Sequence, residues 1–145
     1  MLLKRVFRKL GHVQKPFANV KCFSSIDNEE VENFNNYDKW WQDSPAIKPL
    51  HAYNKLRVQW IREFLIKDME PTDQAGFFKS LKALDVGSGG GLLSESLGRL
   101  GCKTLGIDPS STSIRVAKEH LWNDLELIGK VIYKKTTIEE LIKRK

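Results

Sequence analysis

The run Asp85-Val86-Gly87-Ser88-Gly89-Gly90-Gly91 carries the chemistry of this chain. An acid stands two places before a glycine, and glycine then recurs at every second position. Without a Cβ, Gly87 and Gly89 reach positive φ and let a ligand touch bare backbone. Gly91 permits close approach of a helix to a strand. The helix that follows offers unpaired N–H groups and a partial positive charge at its start. Such a loop suits a nucleotide-like ligand or an amino-acid carboxylate. A second acid, Asp108, follows 21 residues after Gly87. If both acids end neighbouring strands of one open sheet, they flank one crevice. A carboxylate there can accept both hydroxyls of a ribose.

Two cofactor classes use this geometry. A nicotinamide-dinucleotide site requires G-x-G-x-x-G. Counted from Gly87 the sixth residue is Leu92, and counted from Gly89 it is Ser94, so the fingerprint fails in both registers. An acid in the position of Asp85 is instead the hallmark of S-adenosylmethionine-dependent methyltransferase loops, which need no pyrophosphate cradle.

The elements that must position these residues alternate. Leu81–Val86 predicts a short buried strand, about 91–100 a helix, Thr104–Ile107 a strand and about 111–122 a helix. Lys130–Lys135 predicts a third strand, and Ile138–Lys143 starts another helix. Alternation of this kind implies right-handed crossovers and a parallel sheet, an α/β fold. Before it, apolar spacing predicts a helix over 28–42 and, after a break at 43–50 with Pro45 and Pro49, a second over 51–67. The inward stripe of that second helix reads as Leu56, Trp60 and Phe64, with Ile61 and Leu65. Residues 68–80, with Pro71 and Gly76, read as a surface loop.

Composition narrows the class further. The chain has 145 residues, 41% of them apolar, enough for a core. No run approaches the ~18 apolar residues of a membrane-spanning helix. The net charge of +6 comes from 24 bases and 18 acids. Lys4, Arg5, Arg8, Lys9, Lys15 and Lys21 all lie in residues 1–25, which hold no acid, so the remainder is near neutral. That distribution argues against a nucleic-acid partner. Leu2, Leu3, Val6, Phe7, Leu10 and Val13 share one helical face, and Ser24–Ser25 follows. This is the pattern of a mitochondrial transit peptide cleaved near Phe23–Ser25. Cys102 then remains as a single thiol with no disulfide partner, which suits a reducing compartment.

The wider sequence resembles the ubiquinone-biosynthesis O-methyltransferase family, the polyprenyl-dihydroxybenzoate and demethylubiquinol methyltransferases. Three segments carry the resemblance: Phe34 with Trp40-Trp41-x-Asp43; Lys48-Pro49-Leu50-His51-x-x-Asn54-x-Leu56-Arg57; and the run from Leu84 to Ser110. The glycine motif alone marks only the methyltransferase superfamily, whereas the two earlier segments are more specific. Ser88 stands where the family usually has Cys, and Lys55 where it often has Pro.

The resemblance implies the Rossmann-like fold of a class I S-adenosylmethionine-dependent methyltransferase, of which this chain would carry the first half of the sheet, ordered 3-2-1. Its domains would be a transit peptide over 1–25, a helical segment over 26–80 and the first half of the methyltransferase domain over 81–145. The implied activity is O-methylation of polyprenylated catechol or quinol intermediates of ubiquinone biosynthesis. The implied cofactor is S-adenosylmethionine, bound by Arg57, Asp85, Gly87, Gly89, Gly91 and Asp108. Asp108 would hold the ribose and Gly87 would approach by backbone. Asp85 has two roles open to it, orienting the methionine ammonium or holding loop N–H groups. Arg57 either contributes to the cofactor site or lies on the helix surface. Trp40 and Trp41 read as core or lid packing before substrate contact, and His51 as packing before a base. No catalytic base is assigned. A divalent metal belongs to the full-length family, its ligands outside this chain. The implied setting is the matrix side of the mitochondrial inner membrane, with peripheral association and a biosynthetic protein assembly as partners. Against the family the chain reads as C-terminally truncated. The implied methyl transfer is therefore an expectation for the longer protein, and the alternatives to it are a non-catalytic interaction module of the assembly and another class I methyltransferase.

Overall fold

A computed structural model of the chain describes residues 26–143. The basic amphipathic segment of residues 1–25 and its cleavage junction lie outside the described residues. Three strands, β1 (Lys82–Val86), β2 (Lys103–Asp108) and β3 (Val131–Lys135), form one parallel sheet in the order β1-β2-β3. The register pairs Asp85 with Gly106 and Gly106 with Tyr133. Helices α4 (Leu92–Leu100) and α5 (Ser111–Leu121) make the crossovers, and α6 (Ile138–Lys143) follows β3. The parallel direction agrees with the expectation from the alternating pattern, and the strand order with the one that the resemblance implies.

The helical segment is built differently from its sequence reading. α1 covers only Asn28–Asn35, started by Asp27, whose carboxylate accepts from the Glu29 and Glu30 N–H groups. The helix expected through residue 42 stops there, and residues 37–44 turn back so that two tryptophans reach the glycine loop. α2 runs Lys48–Met69 with Pro49 in its first turn. Pro49 therefore starts the helix rather than breaking it, because its missing N–H is an orphan donor at that position anyway. The residues expected to face inward on α2 divide. Ile61 and Leu65 pack inward, whereas Leu56, Trp60 and Phe64 are exposed, with Trp60 and Phe64 stacked on each other. The expected loop at 68–80 contains a helix, α3 (Gln74–Ser80), which buries Phe78.

Side chains alternate across a strand, so Ala83, Asp85, Thr104, Gly106, Val131 and Tyr133 share one face of the sheet. That face carries the core in two clusters. Ile114, Ala117, Leu127, Val131 and Tyr133 form one under α5. Phe78, Leu97 and Cys102 form the other, joined by Ile61, Leu65 and Ala83. The second cluster takes residues from both sides of position 80. The change there is one of element type, and the packing is continuous across it.

Candidate functional site

The glycine loop is a chain of short backbone bonds. Where β1 ends, the Gly87 and Ser88 N–H groups both donate to the Ile107 carbonyl, at 2.9 and 3.0 Å. Gly91 N–H donates to the Ser88 carbonyl at 2.9 Å, and the Gly91 carbonyl then accepts from Glu95 to open α4. Gly87 and Gly89 take φ of 73° and 52°, values that an L side chain rarely adopts. Gly89 and Gly90 carry a further constraint. A Cβ on Gly89 would stand 2.7 Å from the Trp40 ring, and one on Gly90 would collide with the Trp40 side chain. The loop is therefore glycine partly because a tryptophan lies on it.

Asp108 ends β2 and locks this loop from the other side. Its Oδ2 accepts from Gly89 N–H at 2.9 Å and its Oδ1 from Ser110 N–H at 2.8 Å. Each oxygen keeps a second lone pair. Ser110 caps α5 through its own Oγ, which accepts from Ser113 N–H and donates to Asn35 Oδ1 of α1 at 2.9 Å.

A cavity of about 340 Å³ opens where these parts meet. Gly87, Gly89, Asp108 and Ser110 border it on the sheet side. Val31 and Phe34 of α1, Trp40, and the 136–139 segment close the rest. Its size lies at the lower end of the range for small-molecule sites. Trp40 Nε1, on a residue of the lining, is buried without a hydrogen-bond partner among the described residues, as is Ser88 Oγ in the loop.

Three of the six residues singled out from the sequence line this cavity: Gly87, Gly89 and Asp108. Asp85 is buried behind it and accepts from Ser94 Oγ at 2.7 Å, which ties β1 to the first turn of α4. Of the two roles left open for Asp85, the holding of loop N–H groups is not seen: among the described residues no loop N–H donates to it, and its partner is the Ser94 hydroxyl. Gly91 is the N-cap of α4, and a Cβ there would strike the Tyr133 hydroxyl of β3. The helix–strand approach expected at Gly91 is thus seen in the structure. Arg57 lies outside the lining. Its Nη2 donates to Asn54 Oδ1 at 2.8 Å, and Asn54 in turn donates to the Leu92 carbonyl and Ser96 Oγ. Arg57 so fixes an amide that joins α2 to α4. His51 Nε2–H donates to the Trp40 carbonyl at 3.0 Å, which occupies it in packing.

Burial holds Tyr133 in its neutral form. Desolvation, then the nearby Glu95 carboxylate, push its phenol well above the usual range, so the hydroxyl donates to the Gly91 carbonyl. Burial also raises the Cys102 thiol, which is packed in the core. Among the described residues no group of three His, Cys, Asp or Glu side chains is arranged to hold a metal ion. No helix among them is long and apolar enough to cross a membrane.

Sequence reasoning missed the contributions of α1, Ser110 and Thr136. Those residues carry no chemical signature, and only the fold brings them to the cavity. The paired tryptophans were the available signal for the covering of the loop.

Comparison with known proteins agrees with this fold. A family model described as a methyltransferase domain matches residues 84–143. The chain is similar to the mitochondrial ubiquinone biosynthesis O-methyltransferase of Mus musculus, 39% identical over 82% of this chain and 32% of that protein. For the Homo sapiens protein of the same name the values are 40%, 96% and 39%. For the Pelagibacter ubique ubiquinone biosynthesis O-methyltransferase they are 43%, 67% and 41%. The chain thus spans about a third to two-fifths of the length of these relatives. Among solved structures, the fold resembles magnesium protoporphyrin IX methyltransferase from Synechocystis, solved with bound SAM. The TM-score is 0.58 at 20% identity, over 79% of this chain and 57% of that one. The identity to the curated relatives runs well beyond the glycine motif, and over the segment it spans the chain is a homologue of these ubiquinone biosynthesis O-methyltransferases, with a methyltransferase domain over residues 84–143.

Proposed function

We propose that the cavity beside Asp108 binds S-adenosylmethionine, and that the protein serves O-methylation of a polyprenylated catechol or quinol in ubiquinone biosynthesis. One observation carries the cofactor reading: the Asp108 carboxylate, steadied by Gly89 and Ser110 N–H groups, borders a cavity against the bare backbone of Gly87. The residues present fit the cofactor. The two lone pairs left on Asp108 suit a ribose diol. Gly87 presents no side chain, and the orphaned Trp40 indole N–H is a buried donor in need of an acceptor.

When bound, the cofactor supplies an electrophilic methyl group on a sulfonium. Gly87, Gly89 and Asp108 would hold the cofactor directly. Asp85, Gly91 and Arg57 position what holds it, through Ser94, Tyr133 and Asn54 respectively. The phenolic acceptor, the divalent metal and the protein assembly follow the family reading, as does the matrix face of the inner membrane. So do the division at residue 80 and a leader over residues 1–25. The names of the mammalian relatives, which include the word mitochondrial, support that setting.

Calorimetry on the 145-residue chain tests the cofactor. S-adenosylmethionine should bind and NADH should not. Asp108→Ala removes up to two charge-assisted hydrogen bonds of about 1.5–3 kcal/mol each. Affinity should fall at least about tenfold, since about 1.4 kcal/mol is one decade. Binding unchanged within about twofold would remove Asp108 from the site.

A further inference from the structure

Trp41 does not line the cavity, yet its side chain is hydrogen-bonded to the glycine loop. Its indole Nε1–H donates to the Gly90 carbonyl at 2.8 Å. One face of the indole lies flat on the His120 imidazole, with ring centres 3.4 Å apart and planes within 3°. His51 meets it edge-on at 5.6 Å.

Neither imidazole is free to drift. His120 Nδ1–H donates to Glu95 Oε1 at 2.8 Å, and the Glu95 carboxylate is fully buried. Glu95 also pairs with Arg99, which reaches Asp124 at 2.8 Å. His51 is held by its bond to the Trp40 carbonyl. Side chains from α2 and α5, backed by α4 through Glu95, therefore aim one N–H at one loop carbonyl.

The peptide group is planar, so fixing the Gly90 carbonyl also orients the Gly91 N–H in the same plane. Gly89, Gly90 and Gly91 would otherwise range over more backbone conformations than other residues. A loop ordered in advance spares a ligand that ordering cost. We propose that Trp41 is a positioning residue, whose indole N–H holds the glycine loop in the shape that receives the cofactor. The proposal rests on the S-adenosylmethionine reading above for its ligand, but not for its effect on the loop.

Trp41→Phe tests it, because a phenyl ring can still lie on His120 but has no N–H. Affinity for S-adenosylmethionine should fall about tenfold, about 1.4 kcal/mol. Hydrogen exchange should quicken at the Gly87, Ser88, Gly89 and Gly91 amides while β2 and α5 keep their protection. His120→Gln, which retains a donor for Glu95 but not the stacked ring, should move both readings in the same direction. Affinity within about twofold of the unaltered chain, with unchanged loop exchange in Trp41→Phe, would overturn the proposal. So would exchange that quickens equally throughout the protein, because Trp41 would then be ordinary core. If the unaltered chain binds no S-adenosylmethionine, the cofactor reading fails, and loop exchange alone decides the role of Trp41.

Discussion

Asp85 lies one residue before the end of β1 and Asp108 ends β2; they are equally buried, but their partners differ. Asp108 takes two backbone N–H groups at the cavity wall, whereas Asp85 takes one hydroxyl behind it. The two should therefore separate by experiment. Ser94→Ala strips Asp85 of its donor and leaves a buried carboxylate short of a partner, at about 1–3 kcal/mol of stability. Urea unfolding should show that loss, while the S-adenosylmethionine affinity of the folded fraction stays within about twofold. An affinity loss as large as that of Asp108→Ala would instead place Asp85 on the ligand. That Gly87, Gly89 and Asp108 border the cavity was legible in the sequence from their types and spacing. The position of Arg57 was not, because a guanidinium reaches far enough to serve either a cavity or a neighbouring amide. Here Asn54 takes it.

At the scale of elements, what was readable depended on which signal a segment carries. The three strands and their crossover helices combine apolar runs with glycine punctuation, and each forms close to where expected. α3 was missed because Pro71, Asp73 and Gly76 read as loop residues. Asp73 is instead its N-cap and accepts from Gly76 N–H at 3.0 Å, while a Cβ at Gly76 would strike that same carboxylate. The residues that looked like a loop are the start signal of a helix. Asp73→Ala should cost about 1 kcal/mol by loss of the cap. Thermal melting should fall by a few degrees, with S-adenosylmethionine binding retained at low temperature. An unchanged melting point would mean that Phe78 packing alone holds α3. On α2 a strongly apolar stripe misled, because that helix has two apolar faces. The core takes the one carrying Ile61 and Leu65.

At the scale of the whole molecule, a basic N-terminal segment precedes an unevenly covered sheet. Residues 1–25 hold six bases and no acid. Fused to a reporter they should direct it to mitochondria, and Arg5→Glu, Arg8→Glu and Lys9→Glu together should abolish this. Cytosolic retention of the unaltered fusion would refute the leader. The sheet presents a sharper problem. α4 and α5 pack against the face of Ala83, Asp85 and Tyr133. On the opposite face Leu84, Val86 and Ile132 remain 46%, 55% and 56% exposed. The register sets Leu84 beside Leu105 and Leu105 beside Ile132, so this is a continuous apolar row. Parallel sheets are ordinarily covered on both faces, and exposed patches of this kind drive association. The 145-residue chain should therefore bind a hydrophobic dye and sediment as concentration-dependent oligomers. Leu84→Lys with Ile132→Lys should reduce both while leaving the helical circular dichroism intact. Association that survives this pair but disappears in Trp60→Glu would move the contact to the exposed stripe of α2. A monomer without dye binding would show that the row is too narrow to hold a partner.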